Sequence, residues 1–139
     1  MNALDRYVRG DMFGTAYKPT TDECQKVHNL LNKNVFDGML KKTRFNIRNM
    51  GDVWAMCDGR FDIKREKFFT EQIFVHNKFP HKAMFVTAVA HEMVHQWQWE
   101  VYSAERHEQG KGFIMSHGPS FRKWKKALGK YFIPLSTKI

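Results

Sequence analysis

From Met84 to Trp97, the residues Met84, Phe85, Val86, Ala88, Val89, Ala90, Met93, Val94 and Trp97 are apolar almost all the way round a helical wheel. A helix that is apolar on every side has no face to offer water, so it must lie in the middle of the fold with other elements against it. The same segment nevertheless holds His91, Glu92 and His95, in the order His-Glu-Met-Val-His. Burying three titratable groups among apolar neighbours costs free energy unless they are paired or bind an ion. Two histidines four apart on a helix are turned by only ~40° and separated by ~6 Å along the axis, so both imidazoles reach one metal ion. Glu92 projects about 100° away from His91, within reach of water on that ion but badly placed to join the histidines as a ligand. This is the geometry of metal-assisted hydrolysis. Zinc lowers the pKa of its bound water to roughly 7, a carboxylate takes the proton, and the metal polarises a scissile carbonyl. With seven histidines and seven glutamates in 139 residues, a shuffled chain contains HExxH about 2% of the time, which weighs against coincidence. The bland alternative is a pair of satisfied core histidines with Glu92 ion-paired to a neighbouring Arg or Lys.

A catalytic zinc takes three protein ligands and keeps one position open. Gln98 and Val101 stand where the continuation HExxHxxGxxH requires Gly and His, which excludes that pattern. Glu105, His107, Glu108 and His117 remain as candidates. The first three fall in a charged, Gly-bordered stretch that reads as a solvated loop. His117 lies in Ser116-His117-Gly118-Pro119-Ser120-Phe121, just ahead of a last helix, where the turn and the packing of Phe121 would hold it. Its alternative is a capping or surface histidine.

The remaining pattern gives an α+β domain. Thr20 with Glu23 three residues on forms a capping-box signal, and Val27, Leu30, Leu31 and Val35 follow at helical spacing. Over residues 43–76 the period changes to two, through Phe45 and Ile47, then Val53, Ala55 and Cys57, then Phe61 and Ile63, then Ile73 and Val75. Asn49 to Asp52 and Asp58-Gly59 read as turns. The connections are too short for crossover helices, so the expected sheet has three or four strands and is mostly antiparallel. Trp97 and Trp99 are expected to straddle a turn, with a surface loop from about Ser103 to Ser116. A final helix is predicted from Pro119, with Phe121, Trp124 and Leu128 on its buried side.

One domain, residues 1–139, accounts for the whole sequence: no linker or repeat interrupts it, and 42% of its residues are hydrophobic. A chain of this size buries roughly two-thirds of its unfolded surface, so a metal is not needed merely to hold it together. Cys24 and Cys57 lack CxxC spacing, which argues against a zinc ribbon. The N-terminal residues mix Asp5, Arg6, Arg9 and Asp11 among apolar ones and contain no secretory h-region, and Ala83–Ala90 is far short of a membrane span. A cytoplasmic, intracellular protein with no membrane partner is expected. Its charge is uneven: residues 111–139 carry seven of the 23 Lys/Arg and no Asp or Glu. Such an excess points to an anionic partner, nucleic acid being the commonest, or to a solvated helix face.

Two segments, His-Glu-Met-Val-His-Gln-Trp at 91–97 and His-Gly-Pro-Ser-Phe at 117–121, give the chain its resemblance to the SprT-like zinc metallopeptidase family, the Spartan-related domains. The resemblance covers roughly residues 20–130, and Ser116 stands where the family pattern has a glycine. It implies a zincin-like fold, one catalytic Zn2+ on His91, His95 and His117, Glu92 as general base, and cleavage of proteins, including those bound or crosslinked to DNA. A monomer is expected. Many relatives carry DNA-binding modules or a Cys-rich zinc ribbon after this domain. The 139 residues contain neither, so Arg122, Lys123, Lys125, Lys126 and Lys130 become the candidate contacts to single-stranded DNA. By analogy with zincins, an extended substrate would lie along a sheet edge, for which the strand at 70–76 is the candidate. Two alternatives stand beside this reading: a general or processing zinc protease with no DNA role, and a basic nucleic-acid-binding domain whose histidine cluster is structural.

Overall fold

The computed structural model describes residues 2–10 and 12–136; Asp11, named above, and the last three residues of the basic segment 111–139 lie outside the described residues. A short helix, α1 (Ala3–Val8), opens the chain. It is followed by α2 (Thr21–Asn34), which begins at the predicted cap, Thr20 Oγ1 accepting from the Glu23 amide at 3.2 Å. Glu23 does not complete the capping box. Its carboxylate accepts from the Tyr7 hydroxyl at 2.9 Å and ties α1 to α2. Cys24, Val27 and Leu31 form the buried stripe of α2.

Three strands follow, β1 (Arg44–Arg48), β2 (Ala55–Asp62) and β3 (Lys67–His76), in the spatial order β1-β3-β2. β2 and β3 form an antiparallel hairpin, whereas β1 and β3 are parallel, with Phe45 opposite Ile73 and Ile47 opposite Val75. The sheet is therefore mixed, not mostly antiparallel. The short connections do exclude a crossover helix, but β2 itself returns the chain so that β3 can insert beside β1 in the parallel sense. Asp58-Gly59, expected as a turn, is a bulge inside the continuous strand β2. The reversal comes after Asp62, where Glu66 adopts a φ of 48° and Ile63 is left 80% exposed. β3 is the central strand, so 70–76 is not an edge. The edge strands are β1 and β2.

Phe45, Ala55, Ile73 and Val75 cover one face of the sheet and join the core with α2 and α3 (Lys82–Trp97). From Phe85 to Trp97 every residue of α3 is buried except His95, as the all-round apolar pattern demands. Each large apolar side chain in that run contributes roughly 1.5–3 kcal/mol by leaving water. The helix does not end in a turn at Trp97. It widens into a π-helical segment (Gln98–Ser103) and runs on as α4 (Ala104–Glu108), so both tryptophans are buried and the surface loop shrinks to 109–118. The final helix is broken into α5 (Pro119–Arg122) and α6 (Lys125–Gly129), with Trp124 at the joint packed against Phe36 and Trp97. The predicted stripe of Phe121, Trp124 and Leu128 remains buried across the break. Both cysteines are free thiols. Among the described residues no helix is long and apolar enough to cross a membrane.

Candidate metal centre

His91 and His95 stand one turn apart on α3, and Gly118-Pro119 starts α5 so that His117, just before it, faces them. Each ring packs on Phe121, with centroids 4.9, 5.0 and 4.8 Å away for His91, His95 and His117. Phe121 is 1% exposed, so this floor is fixed by the core. His117 Nε2 stands 3.2 Å from His95 Nε2 and 3.2 Å from His91 Nε2. Tetrahedral ligands at about 2.0–2.1 Å from zinc lie about 3.3 Å from one another, so His117 stands at ligand spacing from both other histidines, and all three possible ligand atoms lie within 4.8 Å of one another.

The hydrogen bonds of the cluster bear on whether a cation fits. His95 Nδ1 lies 2.8 Å from Gln98 Oε1, and the Gln98 amide nitrogen donates to the Ser116 carbonyl and to Ser120 Oγ, both at 2.9 Å. Because a carbonyl only accepts, the Gln98 oxygen is left facing His95, whose Nδ1 must carry the proton. His95 Nε2 then presents a bare lone pair toward the other two rings. Burial pushes the pKa of His91 down to about 4, reinforced by the neighbouring His95 and His117 and partly offset by the Ser136 backbone. Burial likewise lowers that of His95. Two neutral imidazoles with convergent nitrogens are a ligand set that needs no deprotonation near neutral pH. His91, His95 and His117 can hold a metal ion.

Glu92 completes the cluster without joining the ring of ligands. One carboxylate oxygen accepts from the Cys57 amide of β2 at 2.8 Å, and the other lies 3.9 Å from His91 Nε2. Burial raises its carboxyl to about 7, with the Cys57 amide pulling the other way. A buried carboxyl with one oxygen held and the other turned toward His91 is suited to accept a proton and pass it on.

The other candidate ligands are elsewhere. His107 packs on Phe61 and Phe68 and lies 3.7 Å from Glu66, while Glu105 and Glu108 are exposed on α4. Arg122, Lys123, Lys125, Lys126 and Lys130 are all exposed along α5 and α6. Lys123 is the exception in its contacts, its ammonium lying 4.1 Å from the Trp97 ring centroid and 5.3 Å from that of Trp124. Three groups were not singled out by sequence: the Cys57 amide, Gln98, and Ser103, whose hydroxyl bonds both the amide and carbonyl of Ile114. The first requires knowing that β2 flanks α3, and the others require the π-helical continuation. The chain matches no protein-family model and no curated protein.

Proposed function

We propose that the protein is a zinc-dependent endopeptidase of zincin type, with His91, His95 and His117 holding the ion and Glu92 as general base. The observation that carries this reading is the convergence of three imidazoles, with His117 Nε2 3.2 Å from the Nε2 of both His91 and His95 and the three possible ligand atoms within 4.8 Å of one another, next to a buried carboxyl held at one oxygen by the Cys57 amide and facing His91 with the other. Bound zinc supplies Lewis acidity, both to water and to a peptide carbonyl. Glu92 receives the proton at the oxygen that faces His91 and delivers it to the leaving amine, while the Cys57 amide holds its other oxygen still. β2 is the edge strand beside this carboxylate, so an extended peptide is aligned by backbone hydrogen bonds along β2. Farther along that strand the Trp99 indole N–H occupies the Arg60 carbonyl at 2.8 Å, which directs the peptide toward the Ala55–Asp58 end. The acid-free stretch around α5 and α6 favours substrates bound or crosslinked to DNA, because the basic side chains follow directly on the third ligand in sequence.

The test is zinc content together with cleavage of a basic protein. Glu92→Gln should keep its zinc and fold and lose about 10²- to 10⁴-fold in cleavage rate, the usual contribution of a general base. His117→Ala should weaken zinc binding sharply and His107→Ala should leave it unchanged. A wild-type protein that takes up no zinc after dialysis against the ion would overturn the enzyme reading.

A further inference from the structure

We infer that Gln98 is a positioning residue that fastens the third ligand to the metal helix and sets the tautomer of the second. The inference rests on the zinc reading of the three histidines. Gln98 is the first residue of the π-helical segment, is 0% exposed and has both ends of its amide in use. Its nitrogen donates to the Ser116 carbonyl and to Ser120 Oγ, one residue before and three residues after His117. Its oxygen accepts from His95 Nδ1. These three contacts are interlocked. The acceptor-only Ser116 carbonyl fixes which way the amide faces; the amide orientation fixes the proton on His95 Nδ1; that proton leaves His95 Nε2 unprotonated and facing His117. A single buried amide thus joins the helix that carries two ligands to the loop that carries the third.

The widened π turn sits where this side chain is required. Such turns recur at functional sites because they re-aim a residue without ending the helix. The same segment supplies Ser103, which grips Ile114, so the loop before His117 is held at two points by one element. His117 is itself exposed, and the ring contacts it makes among the described residues are with His91, His95 and Phe121, so the backbone holds on either side help to place it. Groups that hold a metal-bound histidine typically change metal affinity by 10- to 100-fold when removed.

The substitutions separate the two halves of the role. Gln98→Glu retains an oxygen for His95 Nδ1 but sets a carboxylate against the Ser116 carbonyl, releasing the loop. Gln98→Leu removes both contacts, and Ser120→Ala removes one acceptor with little change in burial. Zinc affinity is to be measured on the purified full chain by competition with a chromogenic chelator, alongside circular dichroism of the metal-free protein. Co2+ absorption reports the coordination number.

Gln98→Leu and Gln98→Glu should each weaken zinc by about 10- to 100-fold at unchanged secondary structure, and Ser120→Ala by a smaller factor. In Gln98→Glu the intense band of four-coordinate Co2+ should fade, and its zinc penalty should largely vanish in a His117→Ala background, where the ligand it positions is already gone. Should Gln98→Leu fail to fold, the Glu and Ser120→Ala variants decide. Affinities within twofold of wild type for those two, or a Gln98→Glu penalty of equal size in the His117→Ala background, would overturn the inference. A wild-type chain that binds neither Zn2+ nor Co2+ sinks the underlying zinc reading instead, so the two failures are distinguishable.

Discussion

Glu92 shows how much one buried carboxyl can cost. Its folded-state pKa, raised by burial to about 7, stands above the value of about 4.3 expected in the unfolded chain. A raised carboxyl means that the folded state binds the proton more tightly, so its contribution to stability is complete below about pH 4.3 and is lost as pH rises through 7. The shift corresponds to a penalty on the order of 4 kcal/mol when the carboxylate is fully ionised. In the metal-free protein Glu92→Gln should therefore melt higher than wild type at pH 8, and the two curves should converge near pH 4. Equal melting temperatures at pH 8 would show that the ionised carboxylate is stabilised by something other than the Cys57 amide. The cluster behind this prediction was largely legible in the sequence, because helical geometry alone relates His91, Glu92 and His95. The place of His117 before Pro119 and Phe121 points to it as the third member, and Phe121 is the floor under all three rings. Gln98 appeared in the sequence only as a residue that is not glycine. Two of its three partners lie 18 and 22 positions away, a distance no periodicity can bridge.

At the scale of elements, the bulge in β2 and the π-helical turn after α3 belong together. Gly59 sits under the Trp99 ring, and a Cβ there would lie 2.9 to 3.0 Å from three ring carbons. The ring cannot retreat: its N–H is bonded to the Arg60 carbonyl, and Phe68 and Phe113 pack on it edge to face. Gly59 has no unusual backbone angle, so the demand for glycine there is one of space. Overpacking of this kind costs about 1–3 kcal/mol. Gly59→Ala should lower the stability of the chain by that amount in denaturant unfolding, and Trp99→Phe should cost less in the Gly59→Ala background than in wild type, because the smaller ring makes room. Additive losses would show that the two residues do not meet. The sequence presented Asp58-Gly59 as a turn because Asp-Gly is a strong local turn signal; the long-range contact with Trp99 decided otherwise. Strand order failed for a similar reason. The period of two identifies which residues face the core, yet β1 pairs with β3 through contacts that local spacing does not encode.

Across the whole molecule the question is what the positive charge does. All five basic residues of α5 and α6 are exposed, but they are not equivalent. Lys123 lies over Trp97 and Trp124, a cation–π arrangement worth about 0.5–1 kcal/mol at an exposed site, so part of its role is to cover the core. Arg122, Lys125, Lys126 and Lys130 carry no such contact and are the groups through which phosphates would be met. Each phosphate neutralised on a single strand contributes about 0.7 to the slope of log K against log salt. If these side chains bind DNA, replacing Lys125 and Lys126 together by alanine should lower that slope by about 1.4 and leave zinc affinity and folding stability unchanged. Lys123→Ala should instead reduce stability measurably. Stimulation of cleavage by single-stranded DNA should fall in the Lys125/Lys126 double variant and fade for wild type as salt is raised. An unchanged slope in the double variant would assign DNA binding to another surface, and wild-type cleavage indifferent to both DNA and salt would make the charge a solvated helix face and the protein a peptidase with no nucleic-acid partner.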